Sequence, residues 1–283
     1  MPTFWTRNNK IIVNELGQPI SCDECPCVED DGLRTGENHL GVHARGCPFL
    51  KSDFSITPDN HYSVESLDGK VPDQQVFATI HQVDRWANYE NAGNPFVQAS
   101  GSATPNLIRP TLFYEDSLCR VSLRFNASNN QFIGKSSNAI TAATIIIVCK
   151  PESYAGPNIR IMWAHNGGAD SYFLAQTPTD GTNRWRPTAS VSTINGPNVL
   201  TGEWQVVSVV FNGANSRVRL NGGTAVTGSL STPGSSILDE RIGNRVNFPW
   251  SGLVCEFVSF NSAISAANEL SIVGTLMDKW GIT

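Results

Sequence analysis

Residues 203–211, Glu203-Trp204-Gln205-Val206-Val207-Ser208-Val209-Val210-Phe211, are β-branched and aromatic and are closed by Asn212-Gly213, and this run decides the fold class. Such a composition suits a pleated strand covered on at least one face, and Asn-Gly is turn chemistry. Arg217-Val218-Arg219-Leu220 follows, and strand alternation puts Val218 and Leu220 on one face and both arginines on the other. Asn221-Gly222-Gly223 then predicts a hairpin. Beyond Ile242-Gly243 and the loop Asn247-Phe248-Pro249-Trp250-Ser251-Gly252, residues 253–260 are apolar at nearly every position, as expected of a strand covered on both sides. The chain closes with Ser265 at a helix N-cap. Leu270, Val273, Leu276, Met277 and Trp280 recur at helical intervals and Gly281 lies just past the end, so one amphipathic helix is predicted on a β body.

Further strands are predicted near residues 119–126, 143–150, 158–164, 171–175, 184–191, 216–220 and 224–228, separated by Gly-, Asn-, Pro- and Ser-rich loops. That spacing fits two packed antiparallel sheets. The fold class is therefore all-β: a two-sheet antiparallel jelly-roll sandwich with a C-terminal helix, preceded by a small Cys-rich N-terminal arm. The boundary is expected near Gly69-Lys70-Val71-Pro72, giving an arm over residues 1–70 and a sandwich over 71–283.

The order of the pieces is a tryptophan strand, an Asn-Gly hairpin, Ile-Gly, an aromatic-x-Ser-Gly turn, a Glu-bearing strand and a helix ending in Lys279-Trp280-Gly281. It resembles the laminin-G-like branch of the concanavalin A-like lectin/glucanase superfamily. Val83-Asp84-Arg85-Trp86, Pro95-Phe96-Val97-Gln98-Ala99, Arg109-Pro110-Thr111-Leu112 and Val121-Ser122-Leu123-Arg124-Phe125-Asn126 extend the likeness upstream, toward phage and environmental-bacterial members. The resemblance implies a jelly roll. It also implies a noncatalytic structural or attachment protein, such as a phage capsid-decoration or tail component, whose sandwich binds glycans or neighbouring subunits. The alternatives are a glucanase- or lyase-like carbohydrate-active enzyme and a free secreted lectin-like binder.

Charge divides the chain, whose formal net charge is −5. Residues 1–70 carry six Lys/Arg against eleven Asp/Glu, whereas residues 71–283 carry fourteen of each. No basic stripe is present of the kind that nucleic-acid backbones require, so no nucleic-acid partner is expected. The longest apolar run, residues 142–149, is too short to span a bilayer, and residues 1–7 lack the apolar centre of a secretory signal. A virion or extracellular surface location, without membrane insertion, is the expectation, and a symmetric homo-oligomer is the expected state.

Cysteines divide the chain in the same way. Cys22, Cys25 and Cys27 fall within six residues and Cys47 follows, with His39 and His43 between. Four such ligands suffice for a tetrahedral zinc, which would give this arm a folded centre. Disulfides and free thiols are the other two readings, since the spacing is not that of a paired zinc ribbon. Cys119, Cys149 and Cys255 each adjoin an apolar strand and read as core residues.

For catalysis, a retaining glucanase needs two carboxyl groups on one face of one strand. The Glu-x-Asp-x-x-Glu pattern that would supply them is absent. Glu115-Asp116 and Asp239-Glu240 are adjacent pairs and read as turn residues, and Glu256 reads as a hydrogen-bonded structural carboxylate. The expectation is that the chain is not an enzyme. Binding leaves a clearer trace, because sugar faces stack on aromatic rings while Asn, Asp and Arg reach hydroxyls. Three stretches offer that mixture: Trp163 with His165, Arg184-Trp185-Arg186, and the loop ending at Trp250. Each of these tryptophans reads equally as a core residue, Trp being highly buried on average, and the one between two arginines is the first choice for an exposed site. Calcium would need clustered oxygens, with Asp170 and Asp180 as candidates.

Overall fold

The computed structural model describes residues 6–7, 10–11, 54–63, 85–86, 96–97, 110–115, 120–137, 143–152, 159–165, 172–179, 181–231, 238–244 and 248–283. The first strands are β1 (Thr6–Arg7), β2 (Lys10–Ile11), β3 (Asn60–Ser63), β4 (Arg85–Trp86), β5 (Phe96–Val97) and β6 (Thr111–Glu115). They are followed by β7 (Arg120–Phe125), β8 (Ile133–Ser137), β9 (Ala143–Pro151), β10 (Arg160–His165), β11 (Tyr172–Thr179) and β12 (Thr182–Ala189). The last are β13 (Ser192–Thr193), β14 (Gln205–Phe211), β15 (Ser216–Leu220), β16 (Val226–Gly228), β17 (Leu238–Ile242) and β18 (Gly252–Phe260), before helix α1 (Ala266–Trp280).

Two large sheets result, and every strand pairing in them is antiparallel. The first has the order β16-β15-β14-β9-β18-β7-β6, with β3 also paired to β18, and the second β13-β12-β11-β10-β17-β8-β5-β4. The decisive run forms β14, fully buried, between β9 and β15. Asn221 and Gly222 take positive φ, 46° and 66°, as the hairpin after β15 requires. Gly243 at φ 98° is also obligatory, because a Cβ there would sit 2.2 Å from Phe125 Cδ1. The architecture is the jelly-roll β-sandwich that the sequence predicts.

Alternation sorts the side chains. Cys149, Ile147 and Ile145 of β9 stand opposite Gln205, Val207 and Val209 of β14, and together they face the second sheet. From that sheet Phe96 meets Phe257 edge-on with ring centroids 5.6 Å apart, and Trp163 and Tyr172 both contact Phe211. Cys149 and Cys255 are buried as expected, and burial drives the Cys149 thiol far above its ordinary range, which makes it a packing group. Cys119 lies outside the described residues.

The outer face of the first sheet is covered by α1. Ser265 caps the helix by accepting from Asn268 N–H, and Gly281 ends it in the left-handed conformation. Val273, Leu276 and Trp280 are buried as the periodicity predicts, but Leu270 is 40% exposed and the inward positions one turn away are Glu269 and Ile272. Two buried carboxylates clasp the helix. Glu269, on its first turn, accepts from Ser208 Oγ of β14 at 2.6 Å and from Arg217 Nε of β15. Glu256, on β18, accepts from Trp280 Nε1 at 2.6 Å and pairs with Lys279 Nζ at 3.0 Å. Strict alternation would have put Glu256 on the inner face with Val254. The register shift between Val254 and Glu256 adds one residue, Cys255, to β18 and thereby turns Glu256 to the helix side while keeping Val254 and Phe257 inside.

Two expectations are corrected here. Asp239 and Glu240 are not turn residues: they lie within β17, and Glu240 is buried. The arm expected over residues 1–70 also contributes to the sandwich. Strand β3 pairs with residues 256–259 of β18, Asp59 Oδ2 accepts from Asn261 N–H at 2.6 Å, and Phe54 and Ile56 lie against the core. Residues 69–72 themselves, and Cys22, Cys25, Cys27 and Cys47 with their expected zinc, lie outside the described residues.

Candidate functional site

The residues proposed for sugar binding separate into two groups. Trp163, Trp185 and Trp250 are at most 1% exposed, so none offers a ring face to a ligand. Of the two readings of each tryptophan, the core one holds and the aromatic platform does not. Burial of an indole is tolerable only if its N–H finds an acceptor, and the core provides one each time. Trp163 donates to Glu240 Oε1 at 2.8 Å, Trp185 to Gln205 Oε1 at 2.8 Å and Trp250 to Gln176 Oε1 at 3.0 Å. Trp280 and Glu256 repeat the device beneath the helix. His165 ends β10, opposite Tyr172 and Glu240, and is 3% exposed.

Arg184 and Arg186 form the second group. Residues 182–189 form a strand, close to the one predicted near 184–191, and Trp185 points into the inter-sheet core, so its two neighbours project together from the outer face of the second sheet. Each is steadied by one hydrogen bond to the adjacent chain: Arg184 Nη1 donates to Gly196 O at 3.3 Å, and Arg186 Nη2 to Thr193 Oγ1 at 3.3 Å. Thr188 has the same parity and stands opposite Phe173 and Thr193. Thr177, opposite Arg184, and Ala175, opposite Arg186, share this face and are themselves buried. Toward the middle of the sheet it continues into a small apolar cluster of Ile161, Ala164 and Ala175 with Ile159 and Phe173, separate from the main core.

Hydrogen-bonding capacity is left over here. Arg186 Nε and Thr188 Oγ1 are buried and have no partner. An unpaired buried polar atom costs about 1–3 kcal/mol, so most proteins pair such atoms with their own groups or with water. The carboxylates of the interior, by contrast, are committed: Glu240 to Trp163, Glu256 to Trp280 and Lys279, Glu269 to Ser208 and Arg217. Among the described residues no group of three or more His, Cys, Asp or Glu side chains is placed to hold a metal. Asp170 and Asp180, the calcium candidates, lie outside them. The sequence signal for the arginine pair was the Arg-x-Arg spacing itself. The signals for Thr188 and Thr193 are absent from the sequence, because only strand register brings them beside Arg186.

No family model matches the sequence, and no curated protein matches it. Solved structures do match by shape. The botulinum neurotoxin type G receptor binding domain superposes with a TM-score of 0.50 at 11% identity, covering 78% of this chain and 52% of that one. This chain thus spans about half the length of that neighbour. Domain 4 of AbnA, a GH43 extracellular arabinanase from Geobacillus stearothermophilus solved with arabinotriose, gives a TM-score of 0.43 at 17% identity, over 57% of this chain and 81% of the other. The CBM40 of the Ruminococcus gnavus IT-sialidase, bound to α2,3-sialyllactose, gives 0.38 at 13% identity over 48% and 83%. At 11% identity the likeness to the neurotoxin domain shows the sandwich fold and the fold alone.

Proposed function

We propose that the chain is a noncatalytic binding protein of the laminin-G-like kind, displayed on a particle or cell surface, which takes a glycan at the outer edge of β11, β12 and β13. The observation that carries this reading is the unspent hydrogen-bonding capacity of Arg186 Nε and Thr188 Oγ1, aligned with Arg184 on one strand face. Hydroxyl-rich ligands answer such a set, since a sugar both donates to Thr188 and accepts from the guanidinium groups. The noncatalytic part of the reading is supported by the pairing of each buried carboxylate among the described residues, Glu240, Glu256 and Glu269, with an indole, ammonium, guanidinium or hydroxyl group.

The test is a glycan array probed with the full chain and with the Arg184→Ala/Arg186→Ala double variant, alongside a reducing-end assay on the glycans that bind. Binding that the double variant loses, with no new reducing ends, is expected. Turnover abolished by a single carboxylate substitution would overturn it. For attachment, the truncation that keeps the sandwich intact begins at Phe54 rather than after residue 70, because β3 belongs to the first sheet. A chain starting there should fold and bind glycan but fail to join the particle.

A further inference from the structure

The molecule contains two Arg-x-Arg pairs on strands, and among the described residues only one of them meets an anion. On β15, Arg217 and Arg219 flank the core residue Val218 and project from the outer face of the first sheet. Helix α1 lowers Glu269 onto them: Arg217 Nε donates to Glu269 Oε2, and Arg219 Nε lies 3.4 Å from the same oxygen, at ion-pair rather than hydrogen-bond geometry. On β12, Arg184 and Arg186 flank the core residue Trp185 and project from the outer face of the second sheet. No helix lies over them among the described residues, and neither has a carboxylate partner there.

We infer that Arg184 and Arg186 bind an oxyanion carried by the ligand, a carboxylate or a sulfate, in the position that Glu269 occupies over Arg217 and Arg219. This deepens the glycan reading and rests on it: the ligand is an acidic saccharide. The chemistry is that of the guanidinium fork, which presents parallel N–H donors that match a carboxylate or sulfate edge. Alternate residues of a strand stand about 6.6–6.8 Å apart, a distance over which one oxyanion, or two on successive sugars, can be gripped. The gripping atoms are held in advance, since Gly196 O and Thr193 Oγ1 each fix one Nη and leave the rest of each fork to the ligand.

Local charge agrees. The stretches Tyr172–Thr179, Thr182–Ala189 and Ser192–Thr193 contain two arginines and no Asp or Glu, in a chain whose net charge is −5. A cationic ribbon with no carboxylate partner among the described residues attracts anions. The buried hydroxyl of Thr188, which has no partner, supplies the neutral hydrogen bond that a saccharide would take beside its charged group.

The experiment titrates the full chain, by calorimetry and by the Nε–Hε NMR signals of arginine, with four probes. These are an oligosaccharide whose only charge is uronate carboxylate, one whose only charge is sulfate ester, a neutral oligosaccharide of matched length, and inorganic sulfate. Charged probes should bind about 10–100-fold tighter than the neutral one, the ratio that charge-assisted hydrogen bonds supply. They should move the Arg184 and Arg186 signals and weaken as salt rises. The Arg184→Lys/Arg186→Lys variant keeps the charge and loses the fork, so it should bind about tenfold more weakly while melting like the parent. The carboxylate and sulfate arms distinguish the two sources of the oxyanion. Equal binding of charged and neutral saccharides overturns the oxyanion site and leaves glycan binding standing. Shifts of both arginine signals with inorganic sulfate but with no saccharide uphold the oxyanion site and overturn the glycan reading. Failure of all four probes overturns both.

Discussion

The two sheets carry the same motif on their outer faces and treat it oppositely. Arg217-Val218-Arg219 and Arg184-Trp185-Arg186 each bury the middle residue in the core and turn two guanidinium groups outward. Over the first pair the chain folds back as α1 and inserts Glu269, and Arg217 also donates to Ile264 O at 2.7 Å, so the cations become part of the interior. Over the second pair the described chain supplies only a carbonyl and a threonine hydroxyl. The first pair is a structural device, and the second, half-buried like the first, keeps hydrogen-bonding capacity to spare. The lesson is that Arg-x-Arg on a strand carries no function by itself; whether the protein provides the counter-ion decides what it does.

The largest break in this comparison comes from removing that counter-ion. Glu269→Ala leaves Arg217 and Arg219, whose side chains are 13% and 14% exposed, beneath the helix with no anion. Removing one partner of a buried pair typically costs about 3–5 kcal/mol, more than the pair contributes relative to an apolar replacement. Denaturant unfolding should show a loss of that size, with the C-terminal helix the first element to lose protection from hydrogen exchange. A loss below about 1 kcal/mol, the value of an exposed pair, would mean that the two arginine pairs are alike after all.

The other end of the helix gives the next effect. Trp280→Phe keeps most of the apolar volume and removes only the indole N–H, leaving Glu256 Oε2 with Lys279. Loss of a hydrogen bond to a buried charged group should cost about 1.5–3 kcal/mol. Ser265→Ala, which removes the N-cap acceptor of Asn268 N–H, should cost about 1 kcal/mol. Thermal melts of the two variants should fall in that order. Reversal would place the anchor of α1 at its first turn alone.

Much of this architecture was legible in the chain. β14, β15 and β18 follow from runs of apolar residues with turn chemistry between them, and α1 follows from a cap, a period and a terminal glycine. What escaped is what register decides. β17, Leu238–Ile242, is charged at three of its five positions and so lacks a strand's pattern, yet Glu240 faces inward because Trp163 needs an acceptor. Glu269 sits on the buried face of α1 because Arg217 and Ser208 await it there, and no helical periodicity announces a charged inward position. β3 is four residues long and pairs across nearly two hundred residues with β18, a separation no local pattern reveals. The tryptophans were legible only as a pair of alternatives, for a related reason. A Trp flanked by polar residues reads equally as an exposed platform or as the inward residue of an alternating strand, and Gln205, Glu240 and Gln176, which settle the matter, lie far away in sequence. The arginine pair was visible from the start, and its context was not.

The smallest effect is expected where the comparison is most informative. Arg184→Lys/Arg186→Lys should leave stability within about 0.5 kcal/mol of the parent, as surface changes away from a buried network do. The substitution removes the contacts to Gly196 O and Thr193 Oγ1, each 3.3 Å long, together with the unpaired Arg186 Nε. The same exchange at Arg217 and Arg219 should cost well over 1 kcal/mol, because lysine cannot reproduce the guanidinium contacts to both Glu269 and the Ile264 carbonyl. Parallel denaturant titrations of the two double variants measure the contrast directly. A large loss on β12 would show that Arg184 and Arg186 already have an internal counter-ion, and the site would lose its claim on a ligand. A small loss there, beside a large one on β15, places the unspent charge on the second sheet, where binding rather than folding is what it can serve.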